Sequence, residues 1–211
     1  MSKLIWINTH QFALHPSGAV YWPAQQSLLV ADVHLGKVTH FRKNGAAVPL
    51  KASEENYLKL DKVLNQFEVS HIYFLGDLFH SAINSEWDRF GLWVKNCGAS
   101  VSLIEGNHDI ISPYRYHELG VEVLPDKRIA GFLLTHHPTE EAGSFNFCGH
   151  IHPGIRMQGT GRQTLKLACF YKNSQQMILP AFGSFTGKHL LRPGADDEVY
   201  VIAKNEVISV T

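Results

Sequence analysis

Aspartate, histidine and asparagine gather in this sequence in five short clusters. They are Asp32-Val33-His34, Gly76-Asp77-Leu78-Phe79-His80, Gly106-Asn107-His108-Asp109, His136-His137-Pro138 and Gly149-His150-Ile151-His152. Imidazole, carboxylate and amide oxygens together suit divalent cations such as manganese, iron or zinc, and the absence of paired thiolates disfavours a cysteine-rich structural zinc site. In D-x-H and H-x-H the two candidate ligands stand two residues apart, so in extended backbone both point to one side and can meet one ion. A carboxylate such as Asp77 has two oxygens and can bridge two ions. Glycine at 76, 106 and 149 permits tight turns that bring ligand-bearing backbone close. The 13 histidines, against 3 methionines and 3 cysteines, point the same way. Cys148 adjoins the last cluster and reads as core packing rather than a ligand.

Each cluster alone has a plainer explanation. A lone D-x-H arises by chance, a lone G-N-H-D can be a turn, and a lone G-H-x-H can be a loop with two exposed imidazoles. What outweighs these explanations is that all five occur together, each just after an apolar run. In open α/β sheets several loops converge at the carboxyl ends of strands, so one shared pocket is the economical arrangement.

The elements that must carry these clusters are short. Strands are expected at Ala19–Trp22, Ser27–Ala31, His71–Leu75, Ser100–Ile104, Phe132–Thr135, Phe145–Cys148, Leu165–Tyr171, Val199–Ala203 and Val207–Val210, where apolar and β-branched residues cluster. A helix is expected after Ser53 as N-cap, with Glu54 and Glu55 in its first turn and Tyr57, Leu60, Leu64 and Phe67 on one face. Ser85 similarly precedes a stripe of Trp87, Phe90, Trp93 and Val94. The run Leu35–Lys43 reads as the start of a further helix, whose amino end would favour phosphate. From about Val121 the chain turns strand-rich, so two packed sheets with helices on their outer faces are expected.

Composition bounds the rest. The chain has 211 residues, 45% hydrophobic and 18% charged, which excludes disordered, collagen-like and coiled-coil classes. At this length roughly 70% of the unfolded surface is buried, enough for one domain over residues 1–211 without disulfides or structural metal. Nineteen basic and nineteen acidic residues give zero net charge, which argues against a broad nucleic-acid-binding face. Three cysteines without regular spacing, no leader-like segment and no long apolar run lead to the expectation of a cytoplasmic protein without membrane contact.

The order D-x-H, G-D, G-N-H-D, H and G-H-x-H, running from Asp32 to His152, resembles the calcineurin-like metallophosphoesterases. Within it, GDLFHS at 76–81, HHP at 136–138 and LPAFGSFTG at 179–187 look like the branch of bacterial DNA-ligase-associated phosphoesterases, the PdeM-type DNA-damage-response endonucleases. The resemblance implies an α/β fold, a two-sheet β-sandwich flanked by helices in four αββα layers. It implies two divalent ions, manganese first with iron or zinc as alternatives. Asp32, His34 and His152 would hold one, Asn107, His136 and His150 the other, and Asp77 would bridge them. His108 would be the catalytic imidazole and Asp109 would orient it. This chain departs from the pattern at His80, where most relatives carry aspartate, and at His137, where glycine is common. Both are candidate second-layer or substrate-contacting groups.

Two divalent ions roughly 3.5–4 Å apart can activate a bridging water for in-line attack on phosphorus and neutralise the charge that develops. The leaving oxygen then wants a proton, the role expected of His108. Such a site cleaves phosphomonoesters or phosphodiesters, so the rim must choose. Candidate rim groups are Lys37, His40, Arg42 and Lys43, then Arg156 and Arg162, then Lys188, His189 and Arg192; any one could instead be a solvated charge. Trp22, Phe182 and Phe185 could stack a base or belong to the core. The expectation is a DNA endonuclease acting on single-stranded or flapped DNA, in a repair pathway with a ligase and a helicase. Its competitors are a small-molecule phosphoesterase acting on nucleotides or cyclic nucleotides, and a non-catalytic scaffold, for which an intact G-N-H-D has no physical use.

Overall fold

The structure is a computed structural model that describes residues 1–37, 51–80, 82–159, 161 and 163–210. The first sheet opens with an antiparallel meander of β1 (Lys3–Ile7), β2 (His10–Leu14), β3 (Val20–Trp22) and β4 (Ser27–Val30). It continues in parallel through β5 (His71–Leu75), β6 (Ser100–Ile104) and β7 (Val121–Leu124), giving the spatial order β1 to β7. Helices α1 (Lys51–Leu64), α2 (Glu86–Asn96) and α3 (Pro113–Glu118) fall between the parallel strands. The second sheet is built from β8 (Lys127–Ile129), β9 (Phe132–Leu134), β10 (Phe145–Cys148), β11 (Pro153–Gln158), β12 (Thr164–Lys172), β13 (Gln176–Ile178), β14 (His189–Leu190), β15 (Glu198–Ala203) and β16 (Glu206–Ser209). Its order is β14-β11-β12-β13-β10-β9-β8, with β15 joining β12 to β16.

Strand alternation makes two cores from one sheet. Leu28 and Val30 of β4 face outward, with Ile72, Phe74, Val101 and Leu103, onto Tyr57, Leu60 and Val63 of α1, Trp87, Phe90 and Trp93 of α2 and Tyr116 of α3. Leu29, Tyr73, Leu75 and Ile104 face inward onto Phe132, Leu134, Phe147, Phe170 and Met177 of the second sheet. The expected sandwich is thus present, and the described helices cover the outer face of the first sheet. A smaller cluster of Ile155, Cys169, Val199 and Val201 lies on the outer side of the second.

Two expected caps move. α1 begins at Lys51, so Ser53 lies in its first turn instead of capping it; Lys51 and Ala52 are good helix formers and extend the helix backward. At α2, Ser85 occupies the N-cap position without a side-chain bond, and it is Asn84 Oδ1 that accepts the Glu86 amide at 2.9 Å. Residues 38–43 of the expected helix after the first cluster, with His40, Arg42 and Lys43, lie outside the described residues, as does Arg162. No described helix is long and apolar enough to cross a membrane.

Candidate metal centre

All five clusters leave the ends of β4, β5, β6, β9 and β10 and meet at one edge of the sandwich. The paired loops after β4 and β5 are laced together by main-chain bonds: Asp32 N to Gly76 O at 3.2 Å, His34 N to Asp77 O at 2.9 Å and Leu35 N to Leu78 O at 2.7 Å. In these two loops and in the one after β10 the backbone is not extended. Asp32, His34, Asp77, His150 and His152 all have positive φ, between 50° and 66°. The expectation that D-x-H and H-x-H aim their side chains by strand alternation is therefore corrected: left-handed residues at both ends of each triplet turn them toward a common point. Asp and His tolerate this region better than most residues, and such outliers collect where function over-determines the backbone.

The side chains converge closely. The ligand atoms of Asp32, His34 and His152 lie within 4.8 Å of one another, as do those of His136, His137 and His150, and those of Asp32, Asp77 and His136. His152 Nε2 is 3.3 Å from Asp32 Oδ1 and 3.5 Å from His34 Nε2. Asp77 stands in the middle, with Oδ2 at 3.9 Å from His34 Nε2 and Oδ1 at 3.4 Å from His136 Nε2. Asn107 Oδ1 and His150 Nδ1 approach the same His136 nitrogen at 3.0 and 3.2 Å. His136 donates from Nδ1 to Leu75 O at 2.9 Å, which leaves the Nε2 lone pair facing the cluster.

Electrostatics and space both fit a cation. Asp32, Asp77, His34 and His136 are buried, and burial above all holds the His34 imidazole neutral, lowered to about 2, with the Lys37 ammonium next in effect. Two buried carboxylates beside the neutral His34 need positive charge from elsewhere. A Cβ on Gly76, where φ is +78°, would fall 2.1 Å from His136 Nδ1, and one on Gly149 would fall 2.5 Å from Asp32 Oδ2. No side chain fits at these two glycines beside the candidate ligands.

The remaining expected residues are placed as follows. His108 is exposed at the rim, with its ring 5.8 Å from that of His34, and its amide donates to Asp77 Oδ1 at 2.9 Å. Asp109 accepts from Phe79 N at 3.1 Å and Gly106 N at 3.0 Å, so its carboxylate clasps the two loops through their main chains. Burial pushes that carboxyl up to about 6 against these two bonds. His80 packs against both His34 and His108, its ring 5.5 and 5.3 Å from theirs. His137 is exposed but joins the cluster, 4.1 Å ring to ring from His150. Lys37 is half-buried close to Asp77 and Asp32, whose charges oppose the lowering that burial imposes on its ammonium. Cys148 is buried in the core, its thiol raised by burial and by Asp32. Trp22 and Phe182 are fully buried and cannot stack a base, whereas Phe185 is 45% exposed.

Sequence reasoning missed Asn56 and Lys59, both on α1. Asn56 donates from Nδ2 to Val33 O at 3.1 Å and accepts from Ser184 N at 3.2 Å, tying the first ligand loop to residues 182–187. Lys59 donates to Phe182 O and lies 4.2 Å above the Phe182 ring. Neither belongs to a motif, and the only available signal was a polar pair on the helix face that also carries Tyr57 and Leu60.

Residues 27–137, more than half of the chain, match the calcineurin-like phosphoesterase family. The chain belongs to that family. It is thus a metal-dependent phosphoesterase; the family binds divalent metals, and the His/Asp cluster can hold them. His150 and His152 lie beyond the matched stretch, and the fold returns them to it. The chain is similar over 100% of both lengths to the crystal structure of Pseudomonas putida nuclease MPE, at 29% identity and a TM-score of 0.84. A protein of unknown function from Aquifex aeolicus, AQ665, aligns over 60% of this chain and 78% of its own, at 16% identity and a TM-score of 0.42. No curated protein sequence matches the chain.

Proposed function

We propose that this protein hydrolyses phosphodiester bonds in DNA with two divalent cations, manganese first, and works as a repair endonuclease on single-stranded or flapped substrates. The observation that supports this most is the position of Asp77, one carboxylate whose two oxygens face His34 on one side and His136 on the other. Asp32, His34 and His152 would hold one cation, and Asn107, His136 and His150 the other. When bound there, the cations supply Lewis-acid stabilisation of phosphate oxygens and a nucleophilic water near neutral pH. The protein's own groups do the rest. Leu75 O fixes the tautomer of His136, Asp32 fixes the His150 main chain through two contacts at 3.0 and 3.2 Å, and Lys37 adds a positive charge beside the carboxylates. His108, exposed beside the cluster, is placed to give a proton to the leaving oxygen. Asp109 positions His108 through the main chain of Gly106 and Phe79, not through the His108 ring.

The likeness to a nuclease over the whole chain supports a polymeric substrate. A repair pathway in the cytoplasm, alongside a ligase and a helicase, is the setting we assign. The test is metal analysis of protein purified without added metal, followed by manganese-loaded enzyme on plasmid, single-stranded DNA and a bis-aryl phosphate. Nicked or degraded DNA with close to two metals per chain is the expected result. Ester cleavage with intact DNA would instead make it a small-molecule phosphoesterase, and inertness toward every substrate would leave a scaffold.

A further inference from the structure

We infer that the pocket beside His152 is a phosphate subsite, holding the backbone phosphate next to the one being cleaved. The identity of its ligand rests on the DNA reading above; the subsite itself rests on the following geometry. A cavity of about 150 Å³ opens from the wall of the metal centre formed by His152 and is lined by Lys59, Ser184, Thr186 and Lys188. Among the described residues neither lysine has a carboxylate within ion-pair distance, and Lys188 makes no hydrogen bond. Lys59 spends one of its three donors on Phe182 O. Among the described residues the shielded Thr186 Oγ1 has no hydrogen-bond partner, a cost that a phosphate oxygen would relieve once rotation of the side chain turns the hydroxyl into the cavity. Two cations and an unsatisfied hydroxyl around one cavity form an anion site of the kind a phosphodiester fills.

The loop is held ready for this. Phe182 N donates to Ala31 O at 2.9 Å, Gly183 N to Asp32 O at 3.1 Å and Ser184 N to Asn56 at 3.2 Å, so the subsite is built on the backbone that carries the metal ligands. The opposite flank decides the direction of the strand. There a cavity of about 250 Å³ beside His136 and His137 is walled by Glu105, Asp126 and Glu141, and its one arginine, Arg128, is already paired with Glu141 at 2.6 Å and with Asp126. A polyanion is repelled from that side and drawn toward Lys59 and Lys188. Phe185, exposed between Ser184 and Thr186, offers a face for the adjoining base.

The test uses the full chain without metal, so that binding is read apart from turnover. Affinity for a fluorescein-labelled oligothymidylate is followed by anisotropy from 50 to 200 mM salt. Lys188→Ala should lower the log–log salt slope by about 0.7, the share of one single-strand phosphate contact, which is a roughly 2.6-fold change over that range. Thr186→Val should weaken binding roughly tenfold with little change of slope. Lys204→Ala, in the β15–β16 turn, serves as the control and should match wild type. An unchanged slope in Lys188→Ala, an equal loss in Lys204→Ala, or no binding by wild type overturns the subsite. DNA cleavage with an unchanged slope rejects the subsite alone. A lowered slope in a protein that cleaves no DNA when loaded with manganese rejects the endonuclease reading and leaves the subsite standing.

Discussion

Replacing Asn56 by alanine tests whether the metal loops are held from α1. The Asn56 side chain is buried and joins Val33 O at 3.1 Å to Ser184 N at 3.2 Å. Val33 is 1% exposed, so its carbonyl would be stranded from water, at roughly 1–3 kcal/mol. Ser184 is exposed, and its amide would be rehydrated, so that bond counts only about 1 kcal/mol net. The sum is about 3 kcal/mol, which for a domain of this size lowers Tm by roughly 9 °C. Thermal unfolding followed by circular dichroism, with chelator present so that metal linkage does not intrude, reads this directly. Asn56→Asp sharpens the test, since it keeps an acceptor for Ser184 but turns an oxygen toward the Val33 carbonyl. It should recover only the Ser184 part. An alanine variant within 2 °C of wild type, or an aspartate variant equal to it, would refute the assignment of Asn56 as the tie.

Three further outcomes are expected. His108→Ala should lower kcat on a phosphodiester by roughly 10²–10⁴ while the metal content stays unchanged, and an undiminished kcat would remove His108 from proton transfer. Burial holds the Lys59 ammonium at about 8 against an ordinary 10.5, with Glu55 opposing. Between these values the unfolded chain keeps a proton that the folded chain has lost, so stability rises with pH from 8 to 10.5. The wild-type curve minus that of Lys59→Met should show this climb, and a flat difference would contradict the burial. Finally, Cys148 and Cys169 are buried with thiols raised by burial, while Cys97 is half-buried. A colorimetric thiol assay on the folded protein should therefore count at most one thiol, and three after denaturation; fast reaction of two or more would overturn this packing.

The parallel strands were the most legible part of the sequence. His71–Leu75 and Ser100–Ile104 occur with the expected bounds, because strands covered on both faces read as mainly apolar runs, here broken only by His71 and by Ser100 and Ser102. Lys3–Ile7 was hidden because Leu4 and Trp6 are exposed while Ile5 and Ile7 are buried, so both faces of that strand are apolar and no alternation shows. His189–Leu190 is fixed by pairing with distant Pro153–Gly154, and Lys127–Ile129 forms a tight hairpin with Phe132–Leu134; strands of two or three residues are too short for any alternation to show. The six residues Pro113–Glu118 are too few for helical periodicity, although Ser112-Pro113 marks a helix start.

At the site, residue types and order were legible, and the hand of the backbone that aims them was not. Side-chain pattern reports burial, and φ at a polar residue has no such signature. Some of the other histidines also gain duties that no motif announces. His10 accepts from Trp22 Nε1 at 3.2 Å, His15 bonds Ser17 and Gln66, and His71 pairs with Ser102 at 2.9 Å. Asn56 and Lys59 stayed invisible for a related reason. They act on loops 23 to 128 residues away, and spacing along the chain carries no information about them.

The five candidate ligands with left-handed backbone bear on how such a centre could be moved to another protein. Each non-glycine residue in this region costs about 1 kcal/mol, offset for Asp32, His34 and Asp77 by the lacing between the β4 and β5 loops and for His150 by its amide bonds to the Asp32 carboxylate. A designer who copied the seven side chains onto an ordinary sheet end would reproduce the donors but splay them apart. The transplantable unit is the pair of interlocked loops with their glycines and the helix residue that ties them down. For the same reason, glycine at one of these five positions would relax the backbone and remove the ligand together, so stability and metal affinity would move in opposite directions there.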